Sequence, residues 1–373
     1  MRSIKILIAV FFASALFFSS CVWFVWYSSG ISWQKTSLVV HKGWGLSDVS
    51  RSISNSNTSY PKWLVKSVVH FMGKSVSLHY GEYRLYDGLS IADLVYNIEH
   101  KQGLVMHKVA FIEGKTFSDI KKTLSSNPYL SHNFINKSND ELLSFLNITK
   151  KNPEGLFFPD TYKFAWGSDS FDILQQSHLK MQKVLQQEWQ SRDDGLMYSD
   201  SYQALIVASL IEAETSVDAE RPLIAGVILH RLNKGMRLQI DPTVAYGLNQ
   251  RLSSSLKYSD LKKDTPYNTY VIHGLPPTPI NMPGLSSIHA AMHPVFKGYL
   301  FYVATGSGGH NFSATFDDHK KEVSKYRAKK HKIESTKIKE TLLETKMEKI
   351  LNVMLDTMSS RLYVHLWQKV GYV

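Results

Sequence analysis

An uncharged apolar run from Ile6 to Tyr27, ILIAVFFASALFFSSCVWFVWY, constrains this chain more than any other feature. Its length matches the roughly 20 residues that a helix needs to cross a hydrocarbon core of about 30 Å. Arg2 and Lys5 precede it, and Trp23, Trp26 and Tyr27 close it, where interfacial aromatics sit. A cleaved signal peptide would have a shorter apolar region and a small-residue exit site, yet here bulky aromatics continue the run. Lipidation at Cys21 after Ser19-Ser20 is poorly served by Phe18 and by the apolar CVWFVW stretch. A membrane helix over 6–27 suits the run best. Positive charge on the short tail 1–5 then places the N-terminus in the cytoplasm and the remaining chain outside.

Beyond a linker over 28–36, residues 37–104 alternate short strand and helix patterns. SLVVHK reads as a strand, and LSDVSRSIS as a helix with Leu46, Val49 and Ile53 at helical spacing. PKWLVKSVVHFMG is a second helix between Pro61 and Gly73, GEYRLYDG a strand and turn, and SIADLVYNIEH a helix capped by Ser90. A larger segment over 105–328 opens with a strand, a Gly114 turn and a helix capped near Thr116 or Ser118. The expected class is α+β: a transmembrane helix, a small α+β domain and a larger mixed α+β domain. From 329 to 373 follows a Lys/Glu-rich tail with i,i+4 charge pairs.

The balance of 43 basic against 32 acidic residues, formally +11, suits an anionic partner. No nucleic-acid-binding module is present, so membrane headgroups or cell-wall polymer fit better; a basic surface without a dedicated partner explains the charge equally well. Cys21 is the single cysteine, which excludes an intramolecular disulfide framework and a cysteine zinc cluster.

The stretch DSYQALIVASLIEAETSVDAERPLIAGVILHRL reads as a helix to about Thr215, a loop, and a second helix from about Glu220 with Pro222 in its first turn. Val207, Leu210, Ile211 and Glu214 fall at i, i+3, i+4 and i+7, so an apolar stripe runs into Glu214. Glu212 points about 200° away from Glu214, on the side of Ser209. A carboxyl at the end of an apolar face is desolvated, which raises its pKa as a general acid requires. The plainer alternative is that Glu214 pairs with Arg221 or Arg231.

GLFFPDTYKF, GMRLQIDPTVAYGL, YNTYVIHGLPPTPINMPGLSSIHAAMHP and GYLFYVATGSGGHNFS carry the Gly, Pro, Asn, Tyr and Thr of ordered loops. Aromatic faces beside amides and hydroxyls suit a sugar-binding groove, although turn residues alone account for such stretches. His273, His289, His293 and His310 share this region without an HExxH pattern, and His293 precedes Pro294, so no metal is expected. GxSxG is absent, which argues against a nucleophile elbow.

Taken in order, ASLIEAET, ERPLIAGVILHRL, GMRLQIDPTVAYG, YNTY, GLPPTPI–PG, HP and GGHNF closely resemble the endolytic murein transglycosylases. The likeness is most specific from Glu154 to Phe312, weaker from Ser37 to Ile112, and fades after about Tyr326. It implies a LysM-like small domain over 37–104, able to hold glycan or to serve as a spacer, and a catalytic domain over 105–328. It implies lyase chemistry on the bond between N-acetylmuramic acid and N-acetylglucosamine inside nascent strands, with no cofactor. The family's catalytic glutamate falls in the E-T step, here Glu214-Thr215. One carboxylate can serve both proton transfers, so a second at glycosidase spacing is unnecessary. Asp160 and Asp241 are candidates for a partner or for loop scaffolding, and Asn268, Tyr270, His310 and Asn311 for substrate contacts.

The resemblance further implies an inner-membrane protein with its catalytic region in the periplasm. Its partners would be peptidoglycan strands and synthases, not nucleic acid. The competing reading from another class is a non-catalytic adaptor that tethers glycan to the synthetic machinery.

Overall fold

The computed structural model describes residues 2–28, 31–57, 59–72, 77–330, 340–350 and 352. It is a mixed α+β protein with small two-stranded sheets, and its chain divides into two compact units. One comprises 1–192, 200–213 and 276–288; the other comprises 193–199, 214–275 and 289–373. The segment 105–328, read from sequence as one domain, therefore contributes to both.

The first unit opens with α1, Arg2–Tyr27, continuous through the apolar run because nothing in it breaks a helix. Its stretch Ile4–Tyr27 is long and apolar enough to cross a membrane. Large apolar side chains from Ile4 to Phe24 are exposed, as a lipid-facing helix requires. The three terminal aromatics divide, which the sequence reading did not foresee. Trp23 and Tyr27 stay exposed with ring centroids 4.9 Å apart, whereas Trp26 and Val25 are buried in the small domain's core.

That core is built by β1 (Ser37–Val40), α2 (Leu46–Ser56), α3 (Lys62–Met72), β2 (Gly81–Arg84) and α4 (Ile91–His100). β1 and β2 pair antiparallel, Ser37 opposite Arg84 and Val40 opposite Gly81, so Leu38, Val40 and Tyr83 face inward. Val49 and Ile53 present the i,i+4 face of α2 to them, and Leu94 and Ile98 do the same from α4. Ser90 caps α4 by accepting from the Asp93 amide at 3.0 Å.

The rest of this unit holds β3 (Met106–Ala110), α5 (Phe117–Ser125), α6 (Asn139–Phe145), β4 (Thr161–Ala165), α7 (Ser170–Ser191) and most of α8 (Ser201–Glu214). β3 and β4 pair antiparallel from Met106–Ala165 to Ala110–Thr161. Thr116, not Ser118, caps α5, in a reciprocal box with Asp119. The segment 276–288 lies along α8 and is held there by hydrogen bonds between backbone and side chain. The Ile280 amide donates to Ser209 Oγ at 3.1 Å, and Asn281 Nδ2 donates to the Ser209 carbonyl at 2.8 Å. The proline-rich stretch read as site-forming loop thus spends its PINMPG part on packing.

The second unit carries α9 (Arg221–Asn233), α10 (Asp241–Gly247), the end of α11 (Leu285–Met292), the hairpin β5 (Phe301–Ala304) and β6 (His310–Ser313), and a helix over 316–330. Pro222 sits in the first turn of α9, as expected. Gly226 lets that helix touch the 295 segment, since a Cβ there would lie 2.2 Å from the Val295 carbonyl oxygen. Of the charged tail read from 329 onward, residues 340–350 are helical and exposed; 331–339, 351 and 353–373 lie outside the described residues.

Candidate active site

Residues Ala204 to Ile211 of α8 are buried on every side, so the helix carries no single apolar stripe. Helical phase alone therefore does not set Glu214 apart from Glu212; their surroundings do. Glu212 accepts the Gly284 amide at 3.1 Å, which commits it to its own unit's packing beside a Ser209 that is buried, not solvent-facing. Glu214 is the last helical residue and belongs to the second unit, where a set of polar side chains surrounds it.

Glu214 is half-buried, and its carboxyl group sits deep enough to lose most of its hydration. Desolvation is the largest cause that pushes its pKa up to about 7, and the negative charge of Asp241 pushes in the same direction. A hydrogen bond from the Tyr302 hydroxyl and the positive charge of Arg231 pull the other way without cancelling the rise. The result is a carboxyl group that holds its proton near neutrality, the state a general acid needs.

Each neighbour is fixed by local structure. Arg231, buried on α9, donates Nε to the Leu300 carbonyl at 2.6 Å and Nη1 to the Leu238 carbonyl at 2.7 Å. Its guanidinium lies 5.1 Å from the centroid of the Phe301 ring. It is thus a brace whose positive charge reaches Glu214. Asp241 opens α10 next to Pro242, and the Tyr270 hydroxyl donates to its Oδ1 at 2.5 Å. The QIDPT and YNTY stretches meet through buried threonines: Ile240 donates its amide to Thr269 Oγ1 at 2.8 Å, and Thr243 and Thr269 hydroxyls bond at 2.9 Å. Burial first, then Asp241, then the Glu214 charge raise the Tyr270 phenol above its usual range, so it remains a donor.

Asn268 is fully buried and its amide is used within its own loop. Nδ2 donates to the Leu261 and Lys263 carbonyls at 3.1 and 2.6 Å, and Oδ1 accepts the Tyr270 amide at 3.0 Å. It offers no surface to a sugar and instead sets where Tyr270 starts.

The hairpin brings two more groups. Tyr302 pairs with Phe312, and Ala304 with His310, so Tyr302 and His310 share one face, with their rings 5.4 Å apart. Asn311 alternates to the opposite face, where it donates to Glu322 at 2.8 Å, away from the Tyr302 side. His310 donates its backbone amide to Glu220 Oε1 at 2.7 Å, and its Nδ1 lies 2.8 Å from Oε2. The Thr215 hydroxyl reaches the same Oε2 at 3.2 Å. Burial works against ionisation of Glu220, but the bonds from His310 and Thr215 outweigh it and hold the carboxyl below its usual range.

Asp160 belongs to the first unit, where Lys180 and the Thr161 amide hold its carboxyl, the lysine keeping it below the usual carboxylate range. The histidines singled out in the sequence all lie in the second unit. His273 Nδ1 meets the Gly235 carbonyl at 3.1 Å, His293 Nδ1 meets Asp193 at 2.7 Å, and the His289 ring lies 4.4 Å from that of His293. Sequence reasoning missed Tyr302 and Glu220. Two-residue alternation puts Tyr302 and Ala304 on one face, but only the register across the turn brings His310 to that face; Glu220 carried no signal beyond a helix start.

Residues 38–325 match the model of the YceG-like family. An endolytic murein transglycosylase of Bacillus subtilis is 31% identical over 269 residues, which cover 67% of this chain and 74% of that protein. One from Streptococcus pneumoniae (strain D39) is 27% identical over 242 residues, 60% of this chain but only 43% of the longer pneumococcal protein. The crystal structure of a yceG-like protein, lmo1499, from Listeria monocytogenes aligns with a TM-score of 0.50 at 28% identity, covering 78% of this chain and 99% of that one. With its match running from the small domain through the hairpin that meets Glu214, the chain belongs to the YceG-like family.

Proposed function

We propose that this chain is a peptidoglycan lytic transglycosylase anchored in the inner membrane, with Glu214 as its acid/base. The observation that carries the reading is the desolvated Glu214 carboxyl group, its pKa raised to about 7 by burial and by Asp241. The relatives named endolytic murein transglycosylases supply the reaction class.

In this reading the protonated Glu214 gives its proton to the oxygen between N-acetylmuramic acid and N-acetylglucosamine within a nascent strand. The C1–O bond breaks and positive charge builds at C1, which the nearby Asp241 carboxylate favours electrostatically. The C6 hydroxyl then attacks C1 and its proton passes to the Glu214 carboxylate, which restores the acid and leaves a 1,6-anhydro end. Tyr270 keeps Asp241 oriented, and Tyr302 donates to Glu214 while it is ionised. Cleavage inside the strand would limit strand length. The apolar helix α1, with its short basic N-terminal flank, would place the catalytic unit in the periplasm, near peptidoglycan synthases. The small domain would hold glycan or act as a spacer.

Product analysis by mass spectrometry tests this with uncrosslinked strands and the full chain. Wild type is expected to release anhydro-ended fragments and Glu214→Gln to release none while remaining folded. Fragments heavier by one water would select a hydrolase, and strand binding without cleavage by wild type would select a non-catalytic adaptor.

A further inference from the structure

Glu214 stands at the very end of its helix, where backbone frays most readily unless its last groups are tied down. The tie here is made by a carboxylate six residues downstream. Glu220 Oε2 accepts the Thr215 hydroxyl at 3.2 Å and the His310 ring at 2.8 Å, while Oε1 accepts the His310 amide at 2.7 Å. Thr215 Oγ1 also accepts the Val217 amide at 3.0 Å, which closes the turn that follows the helix. Thr215 is buried, and the side chains of Glu220 and His310 are only 15% and 14% exposed, so water competes little for these bonds. Gly309 completes the fit: a Cβ there would lie 2.9 Å from Glu220 Oε1, so any larger residue would press on the carboxylate.

We propose that Glu220 is a positioning residue for the reaction, a clasp that fixes Thr215, and with it the adjacent Glu214, against the hairpin that carries His310 and Tyr302. The proposal rests on Glu214 being the acid. Through the clasp the helix end and the strand bearing the Tyr302 hydroxyl are held in one register, although neither is near the other in sequence. Charge makes the clasp strong: an ionised acceptor taking three donors gives shorter and firmer bonds than neutral pairs do. Such a clasp belongs to the placement of the reacting group, where a displacement of about 1 Å can cost on the order of 100-fold in rate.

The test uses the purified full-length chain in detergent with uncrosslinked glycan strands, and compares Thr215→Val, Thr215→Ser and Glu220→Gln with wild type. Thr215→Val and Glu220→Gln are expected to lower kcat about 10- to 100-fold, with KM within about threefold. A loosened Glu214 gains water and loses contact with its set neighbours: Tyr302 on β5, Arg231 on α9, Asp241 on α10 and Tyr270 in its loop. The alkaline limb of kcat/KM therefore moves to lower pH in both variants, a change that a merely structural brace would not cause. Thr215→Ser keeps the hydroxyl and restores both readouts. Unchanged kcat overturns the proposal, and so does a fall in kcat with the alkaline limb left in place. Should Glu220→Gln fail to fold, Thr215→Val, which leaves both His310 bonds intact, carries the test. Glu214→Gln run in parallel separates the two ideas: if it retains turnover, the assignment of the acid fails, whatever the clasp variants do.

Discussion

Tyr270 donates its hydroxyl to Asp241 Oδ1 at 2.5 Å across 29 residues of sequence, and so fixes a negative charge beside the carboxyl group of Glu214. The pair explains why two loops far apart in the chain share a buried threonine contact beneath them. It also sets two carboxyl groups in different surroundings: Glu214 is desolvated and its pKa raised, whereas Asp241 is exposed and hydrogen-bonded.

Removing that anion should lower the acid's pKa. In Asp241→Asn the repulsion that favours protonated Glu214 disappears, while desolvation remains. The alkaline limb of kcat/KM for strand cleavage is expected to shift to lower pH. A limb that stays in place would show that Asp241 does not act on Glu214 through its charge.

Tyr302→Phe should shift the same limb the other way. The phenol hydrogen bond stabilises ionised Glu214, so its loss moves the pKa above about 7 and extends activity to higher pH. One neutral-to-charged hydrogen bond is worth about 1.5–3 kcal/mol, which allows a fall in kcat of about tenfold or more. The opposite signs for Asp241→Asn and Tyr302→Phe are measured in one experiment, a pH–rate profile of the three proteins.

Local structure was largely legible because its causes are local. The periodicity of Val49 and Ile53, the caps at Ser90 and Thr116, and Pro222 in the first turn of α9 each act within a turn or two of chain. The choice of Glu214 rests on the family motif; the helix-face argument for it loses its premise, since α8 is buried all round from Ala204 to Ile211. The rest depends on contacts that periodicity does not encode. Glu220 and His310 are 90 residues apart, and the role of each is set by the other. Asn268 reads from sequence as a candidate substrate contact; only the fold shows its amide spent inside its own loop. Trp26 differs from Trp23 by less than one helical turn, enough to exchange an exposed position for a protein core.

Asn268→Ala should cost stability and catalysis together. It leaves the Leu261 and Lys263 carbonyls without their amide donor and frees the Tyr270 amide, at part-buried positions. A fully buried group left unpaired costs about 1–3 kcal/mol and a part-buried one less, so a modest drop in Tm is expected by calorimetry. Turnover should fall as well, because Tyr270 then no longer approaches Asp241 from a fixed backbone. A variant with unchanged Tm would mean that water replaces the amide.

Glu214 should also be a measurable burden on stability. Its folded-state pKa of about 7 lies above the ordinary 4.5, so between those values the folded chain binds more protons at this site than the unfolded chain does. Stability contributed through this group is therefore greatest below pH 4.5, declines as pH rises, and is lost once pH passes about 7. At pH 8 the cost of holding the carboxylate ionised in place is on the order of 2–3 kcal/mol, an upper value because the side chain keeps some contact with water. Glu214→Gln removes that cost and keeps the shape. Its Tm is expected to match wild type near pH 5 and to exceed it by a margin that grows towards pH 8. Thermal melts at three pH values suffice; a margin that is constant or that shrinks with pH would place the ordinary carboxylate pKa, and not a raised one, at Glu214.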